Sequence, residues 1–200
     1  MNKPDLRSNE FSPALSRRSF LKNSTLAAAG AAAASQFPFV VTSHAASDDP
    51  IRIGVIGCGG RGGGAVLDAL GAATEVVYPQ AGYHTETVKA GTALKHKNIS
   101  VVALADAFPD RLATCRQNLS KLGVNVPSEH CFVGFDAYQK LLAVPDVNYV
   151  ILATPPHFRP VHLKAAIEAG KHCFIEKPAA VDAPGVRMVM EAGRLAKEKG

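Results

Sequence analysis

Tryptophan is absent from this 200-residue chain, and aromatic residues make up only 6% of it. So sparse a set offers no stacking platform for single-stranded nucleic acid. Cysteine is scarce as well. Cys58, Cys115, Cys131 and Cys173 form no C-x-x-C pair, and no His/Cys cluster has zinc spacing. Their neighbours are apolar strand or helix patterns, which predicts buried free thiols and no metal site. Long hydrophobic runs are missing too. Leu26 to Ala34 is mostly alanine with Gly30 inside it, and Ser35, Gln36 and Pro38 break its continuation toward Val41. Alanine contributes little to insertion, so a stable membrane span is not expected. The net charge of +5 is unevenly placed: residues 1–45 hold +3, and the rest of the chain holds only +2. A body so nearly balanced lacks the electrostatic footprint of a DNA or RNA binder. With 47% hydrophobic and 20% charged residues, the composition is that of an ordinary globular chain and excludes a disordered one.

The N-terminal charge has a pattern. Ser16 to Lys22 read S-R-R-S-F-L-K, the twin-arginine export pattern at every specified position. The mild apolar stretch comes next, and then Ser43-His44-Ala45, with small residues where a signal peptidase needs them. Residues 1–45 are therefore expected to be a signal peptide, cleaved after Ala45, that engages the twin-arginine machinery and delivers the protein to the periplasm. That route carries folded proteins, which suits one that must capture a soluble cofactor before export.

Residues 46–200 alternate strands and helices. Strand patterns run over Ile51 to Ile56, Ser100 to Ala105, His130 to Val133, Val147 to Ala153 and His172 to Glu176. Helical patterns run over Ala65 to Ala73, Pro109 to Leu122, Ala137 to Leu142 (with Asp136 as its N-cap), Pro160 to Ala169 and Pro184 to Lys199. Apolar strands alternating with helices imply a parallel sheet covered on both faces, and right-handed crossovers make it doubly wound. Residues 74–99 break the rhythm and read as a surface insertion.

The first strand runs directly into Gly57-Cys58-Gly59-Gly60-Arg61-Gly62, a G-x-G-x-x-G loop that opens a helix. That context is the one a dinucleotide-binding turn requires. Gly57 permits the tight turn, Gly59 lets a pyrophosphate approach the backbone, and Gly62 lets helix and strand pack closely. The helix N-terminus offers its amides to the phosphates. Such a loop needs an acid at the end of the second strand to hold the adenosine ribose, and Asp106 stands there. Its carboxylate would repel a 2′-phosphate, and no Arg or Lys comes immediately after it, so NAD is favoured over NADP. The spacing is unusual, because Asp106 lies 44 residues after Gly62 where about 20 are usual. The 74–99 insertion accounts for the excess, and Asp110 is the nearby alternative.

Two further clusters fall at carboxyl ends of strands, where ligands of such sheets bind. Ala153 to Arg159 read A-T-P-P-H-F-R, which places Thr154 and Pro155 beside the cofactor. His157 and Arg159 could touch substrate or cofactor, or stand in solvent. Glu176-Lys177-Pro178 closes the fifth strand. A lysine there could hydrogen-bond a reacting hydroxyl, and desolvation would favour proton transfer. It could equally pair with Glu176 at the sheet rim.

Taken together, GVIGCGGRG, ADAFPDR, ATPPHFRP and above all EAGKHCFIEKPAAVD resemble the Gfo/Idh/MocA oxidoreductases over about residues 50–200. The resemblance implies an N-terminal Rossmann domain followed by an α/β substrate domain. It implies NAD(P)-dependent oxidation or reduction of sugars and polyols, with Lys177 at the nicotinamide and substrate and Glu176 beside it. Some relatives with twin-arginine signals are instead glycoside hydrolases that use bound NAD to oxidise, eliminate and re-reduce a sugar. Many members read T-P-N-x-x-H where this chain has Pro156 for the Asn and Arg159 for the His, so those contacts do not carry over. The resemblance also implies a last strand and a second domain beyond Gly200, and a homo-oligomer for the longer protein. The chain as it stands is then expected to be an incomplete Rossmann domain, poorly soluble, and a nucleotide-binding module more than a working enzyme.

Overall fold

In the computed structural model of the chain, residues 49–77, 85–89 and 92–200 are described. The expected signal peptide lies outside the described residues, as do the middle of the 74–99 stretch and positions 90–91.

β1 (Ile51–Ile56) leads through the glycine loop into α1 (Gly60–Ala69). β2 (Thr74–Val77) and β3 (Thr85–Val88) come next, then β4 (Ile99–Asp106), α2 (Pro109–Lys121), β5 (Cys131–Val133) and α3 (Ala137–Leu142). β6 (Tyr149–Leu152), α4 (Arg159–Glu168), β7 (His172–Ile175) and α5 (Ala183–Lys199) complete the chain. The main sheet has the order β5-β4-β1-β6-β7, and every neighbouring pair is parallel. This is the doubly wound α/β Rossmann arrangement. The direction of winding reverses at β1, and crossovers on either side leave a crevice above its carboxyl end.

Period-two alternation builds two cores. Ile53 and Val55 of β1 pack with Val66, Leu67 and Leu70 of α1 and Leu112 and Leu119 of α2 on one face. Ile56, Ala103, Ala105, Val150 and Leu152 pack with Leu141, Leu163 and Ala166 of the opposite helices on the other. A register shift between Ile53 and Gly54 leaves Val102 without a partner on β1 and keeps both halves of β4 facing the right core. Phe174 of β7 shares a small pocket with Ala65, Asp68 and Ala69 of α1 but remains 43% exposed.

Three expectations need correction. The 74–99 stretch is not merely a surface insertion: β2 and β3 pair antiparallel, and Val88 and Leu94 pack against the core. α1 begins at Gly60, well before Ala65, despite its glycines; close packing on the loop overrides weak helix propensity. Asp136 occupies the N-cap position of α3 with helical backbone angles, so its carboxylate makes no cap and pairs with Lys140 at 2.9 Å. A working cap needs extended backbone, as at Asp182, whose side chain accepts from the Gly185 amide at 2.7 Å.

All four cysteines are free thiols, with Cys58 and Cys115 buried. Burial pushes the Cys173 thiol up to about 11, so it stays protonated and unreactive at neutral pH.

Candidate functional site

A cavity of about 770 Å³ opens at the carboxyl ends of β1, β4 and β6. The loop after β1 forms its floor. Gly57 adopts a φ of +94°, which a side chain would oppose, and a Cβ there would press on the Ala153–Thr154 backbone at 2.7–3.0 Å. Gly62 lies so close beneath that a Cβ on it would meet the Gly57 carbonyl oxygen at 1.7 Å. Strand and helix touch backbone to backbone here. Gly59 is different. A Cβ on it would find nothing nearer than the Arg111 guanidinium at 3.9 Å. Gly59 is also the N-cap of α1, makes no side-chain cap, and has no acidic residue in the turn after it. The positive end of the helix dipole therefore faces the cavity through Gly59, Gly60 and Arg61.

Asp106 forms the wall at the end of β4. Its carboxylate accepts from the Cys58 amide at 2.6 Å and from the Phe108 amide at 2.9 Å, and the residue is 7% exposed. The acid thus ties the glycine loop to β4 across 48 positions of sequence. The β2–β3 hairpin accounts for the long separation: the chain loops out and returns to place β4 beside β1. Asp110 is exposed in the first turn of α2 and does not line the cavity.

Of the residues expected at a cofactor, Gly57, Gly59, Gly60, Arg61, Asp106, Thr154 and Pro155 line the cavity together. Cys58, Gly62, Glu176 and Lys177 do not line it. The Cys58 amide is engaged by Asp106, and its thiol donates to the Ala105 carbonyl at 3.5 Å, under the floor. Glu176 is buried and forms an ion pair with Arg61, joining the end of β7 to the first turn of α1. That answers the rim reading: the partner of Glu176 is Arg61. Lys177 itself is exposed, and its peptide bond to Pro178 is cis.

Arg159 lines the cavity, and only the solvated reading of it is overturned. It is 5% exposed and makes three bonds to backbone carbonyls through Nε and Nη1, so it does not stand in solvent. The cause is geometric. α4 begins at Arg159, which turns the side chain inward between the loops after β6 and β7. His157 is exposed on the loop above.

Sequence reasoning missed the far wall. Arg111 lines the cavity and lies over the Phe108 ring at 4.9 Å. Its place three residues after Phe108, the N-cap of α2, was the available signal. Tyr138, Phe158 and His162 complete this wall. The His162 ring lies 4.4 Å from that of Tyr138, and its Nδ1 is 3.1 Å from the Thr154 hydroxyl. Burial pulls the imidazole down to about 4, so His162 is neutral at physiological pH. No periodicity separates such a histidine from ordinary helix filler.

This arrangement is a dinucleotide crevice in outline. The model of the oxidoreductase family with an NAD-binding Rossmann fold matches residues 51–200. The chain belongs to the Gfo/Idh/MocA family. A glycosyl hydrolase family 109 protein of Shewanella sp. (strain ANA-3) is 30% identical over 178 residues, covering 82% of this chain and 34% of that protein. One from Streptomyces niveus is 30% identical over 131 residues, covering 66% and 22% respectively. The chain thus spans about a third or less of the length of these curated relatives. Among solved structures, a 3-ketoreductase from Actinomadura kijaniata, in complex with NADP and TDP-benzene, is 25% identical with a TM-score of 0.49. That match covers 75% of this chain and 35% of the ketoreductase. As a Gfo/Idh/MocA member, the chain is part of an NAD(P)-binding oxidoreductase family.

Proposed function

We propose that this chain is the dinucleotide-binding part of an NAD-dependent oxidoreductase that acts on a sugar-like secondary alcohol. The observation that carries this reading is Gly59. Packing accounts for Gly57 and Gly62, whose missing Cβ atoms would strike backbone, but not for Gly59, which faces open cavity. A bare backbone turned toward a cavity, at a helix N-terminus, is a cradle for a diphosphate. Gly59 and Gly60 would hold the diphosphate, Asp106 would accept from the adenosine ribose, and Thr154 and Pro155 would line the path toward the nicotinamide. The bound dinucleotide supplies the redox chemistry. The chain's own residues fix its position and exclude water from the crevice. Lys177 orients the substrate hydroxyl and handles its proton.

Asp106 supports NAD over NADP. Its carboxylate is fixed at the cavity wall, where a 2′-phosphate would meet like charge. Arg111 opposes this preference, since its guanidinium lines the same cavity, but the Phe108 ring occupies one of its faces.

The test is Gly59→Ala. The backbone there is extended and unstrained (φ −68°, ψ −168°), so the variant should keep its thermal midpoint to within about two degrees. Calorimetric titration should show NAD⁺ binding weakened by about tenfold or more. Unchanged binding would remove the diphosphate from the glycine loop, and the function with it. For Lys177, a Lys177→Ala enzyme that kept its turnover would make the lysine a bystander.

A second reading rests on the names of the curated relatives, which are glycosyl hydrolases. The same crevice would then serve a glycosidase that uses NAD transiently. Release of free sugar without net NADH would select it over the dehydrogenase. We further propose that residues 1–45 direct export to the periplasm. Arg17→Lys with Arg18→Lys should leave the precursor in the cytoplasm, uncleaved.

A further inference from the structure

We propose that Arg159 is the positioning residue that ties the loop carrying Lys177 to the wall of the dinucleotide cavity. The proposal rests on the proposed place of Lys177 at the nicotinamide and the substrate hydroxyl. Arg159 Nη1 donates to the Glu176 carbonyl and to the Pro178 carbonyl, each at 2.6 Å. Those two carbonyls stand on either side of Lys177. Arg159 Nε donates to the Thr154 carbonyl, also at 2.6 Å. The arginine therefore staples the loop that carries Lys177 to the loop that walls the cavity. Arg159, Thr154 and Pro155 line that cavity, whereas Lys177 does not.

The choice of residue points the same way. A buried guanidinium is costly unless its donors are met. The nearby carboxylate, Glu176, is taken by Arg61, and the three bonds of Arg159 all go to backbone carbonyls. Its planar fork can fix several acceptors in one geometry, which a lysine ammonium cannot. Pro178 has no N–H to anchor its side of the loop, so its carbonyl is the available handle. Burial lowers the guanidinium's proton affinity somewhat but leaves it charged.

The experiment compares NADH with ADP-ribose, which lacks the nicotinamide, in calorimetric titrations of the chain and its Lys177→Met, Arg159→Met and doubly substituted variants. Lys177→Met should reduce the preference for NADH by about tenfold. Arg159→Met should reduce it similarly, and the double variant no further, while ADP-ribose affinity stays within about twofold throughout. Arg159→Lys should fall between wild type and Arg159→Met. If Lys177→Met keeps the full preference, the reading of Lys177 fails and takes the clamp with it. If Lys177→Met loses the preference but Arg159→Met keeps it, or the two losses add, the clamp alone is overturned. Should Arg159→Met not fold, Arg159→Lys decides: full wild-type preference overturns the proposal. Unfolding of both also overturns it, because Arg159 would then hold up the fold and not the lysine.

Discussion

Two adjacent glycines of α1 should respond to alanine with opposite signs. A Cβ on Gly62 would sit 1.7 Å from the Gly57 carbonyl oxygen and 2.9 Å from its carbon. Both atoms are backbone, so no side chain can rotate away. Relief requires helix and loop to part by more than about an ångström, which also strips contacts from Val66 and Leu67 against β1. Overpacking costs about 1–3 kcal/mol even where side chains give way, so at least the upper end applies here. The usual alanine gain inside a helix, about 0.5–1 kcal/mol, recovers part of it. At Gly63 the added Cβ meets only the Cys58 carbonyl oxygen, at 4.0 Å. There the helix gain stands alone. Thermal unfolding followed by circular dichroism should show Gly62→Ala lowering the midpoint by roughly 5–10 °C and Gly63→Ala raising it by roughly 1–4 °C. A Gly62→Ala protein as stable as wild type would refute the close-packing account, as would equal destabilisation at the two sites.

Asp106→Asn sets a side-chain NH₂ against one of two backbone N–H donors; it should cost about 2–3 kcal/mol and also weaken NAD⁺ binding, as denaturant melts and calorimetry would show. His162 titrates near 6.5 when unfolded but is held to about 4 in the fold, so the unfolded chain binds more protons in between. Stability should therefore fall as pH drops from about 6.5 to 4, by up to about 3 kcal/mol, and be insensitive to this group above pH 7. His162→Gln should flatten that part of the profile; an unchanged slope would remove His162 as its source.

The chain's local chemistry was sufficient for the five strands of the main sheet, the parallel doubly wound class and the glycine loop, but not for the β2–β3 hairpin. Apolar runs of strand length, separated by helical patterns, leave a sheet few other ways to bury both faces. The G-x-G-x-x-G spacing is legible for the same reason: each glycine answers a demand made within a few residues. Asp106 was legible by type and strand position, even though its spacing was wrong for the motif. Contacts between distant segments were decided elsewhere. Glu176 pairs with Arg61 across 115 positions, and Arg159 spans two loops that sequence reads as separate. Packing also decided what the histidine at 162 does, because the same residue on an exposed helix face would simply titrate. Propensity and periodicity act over one or two turns of chain. A side chain's partner depends on which strand ends the sheet brings together, and that is fixed only when the whole fold closes.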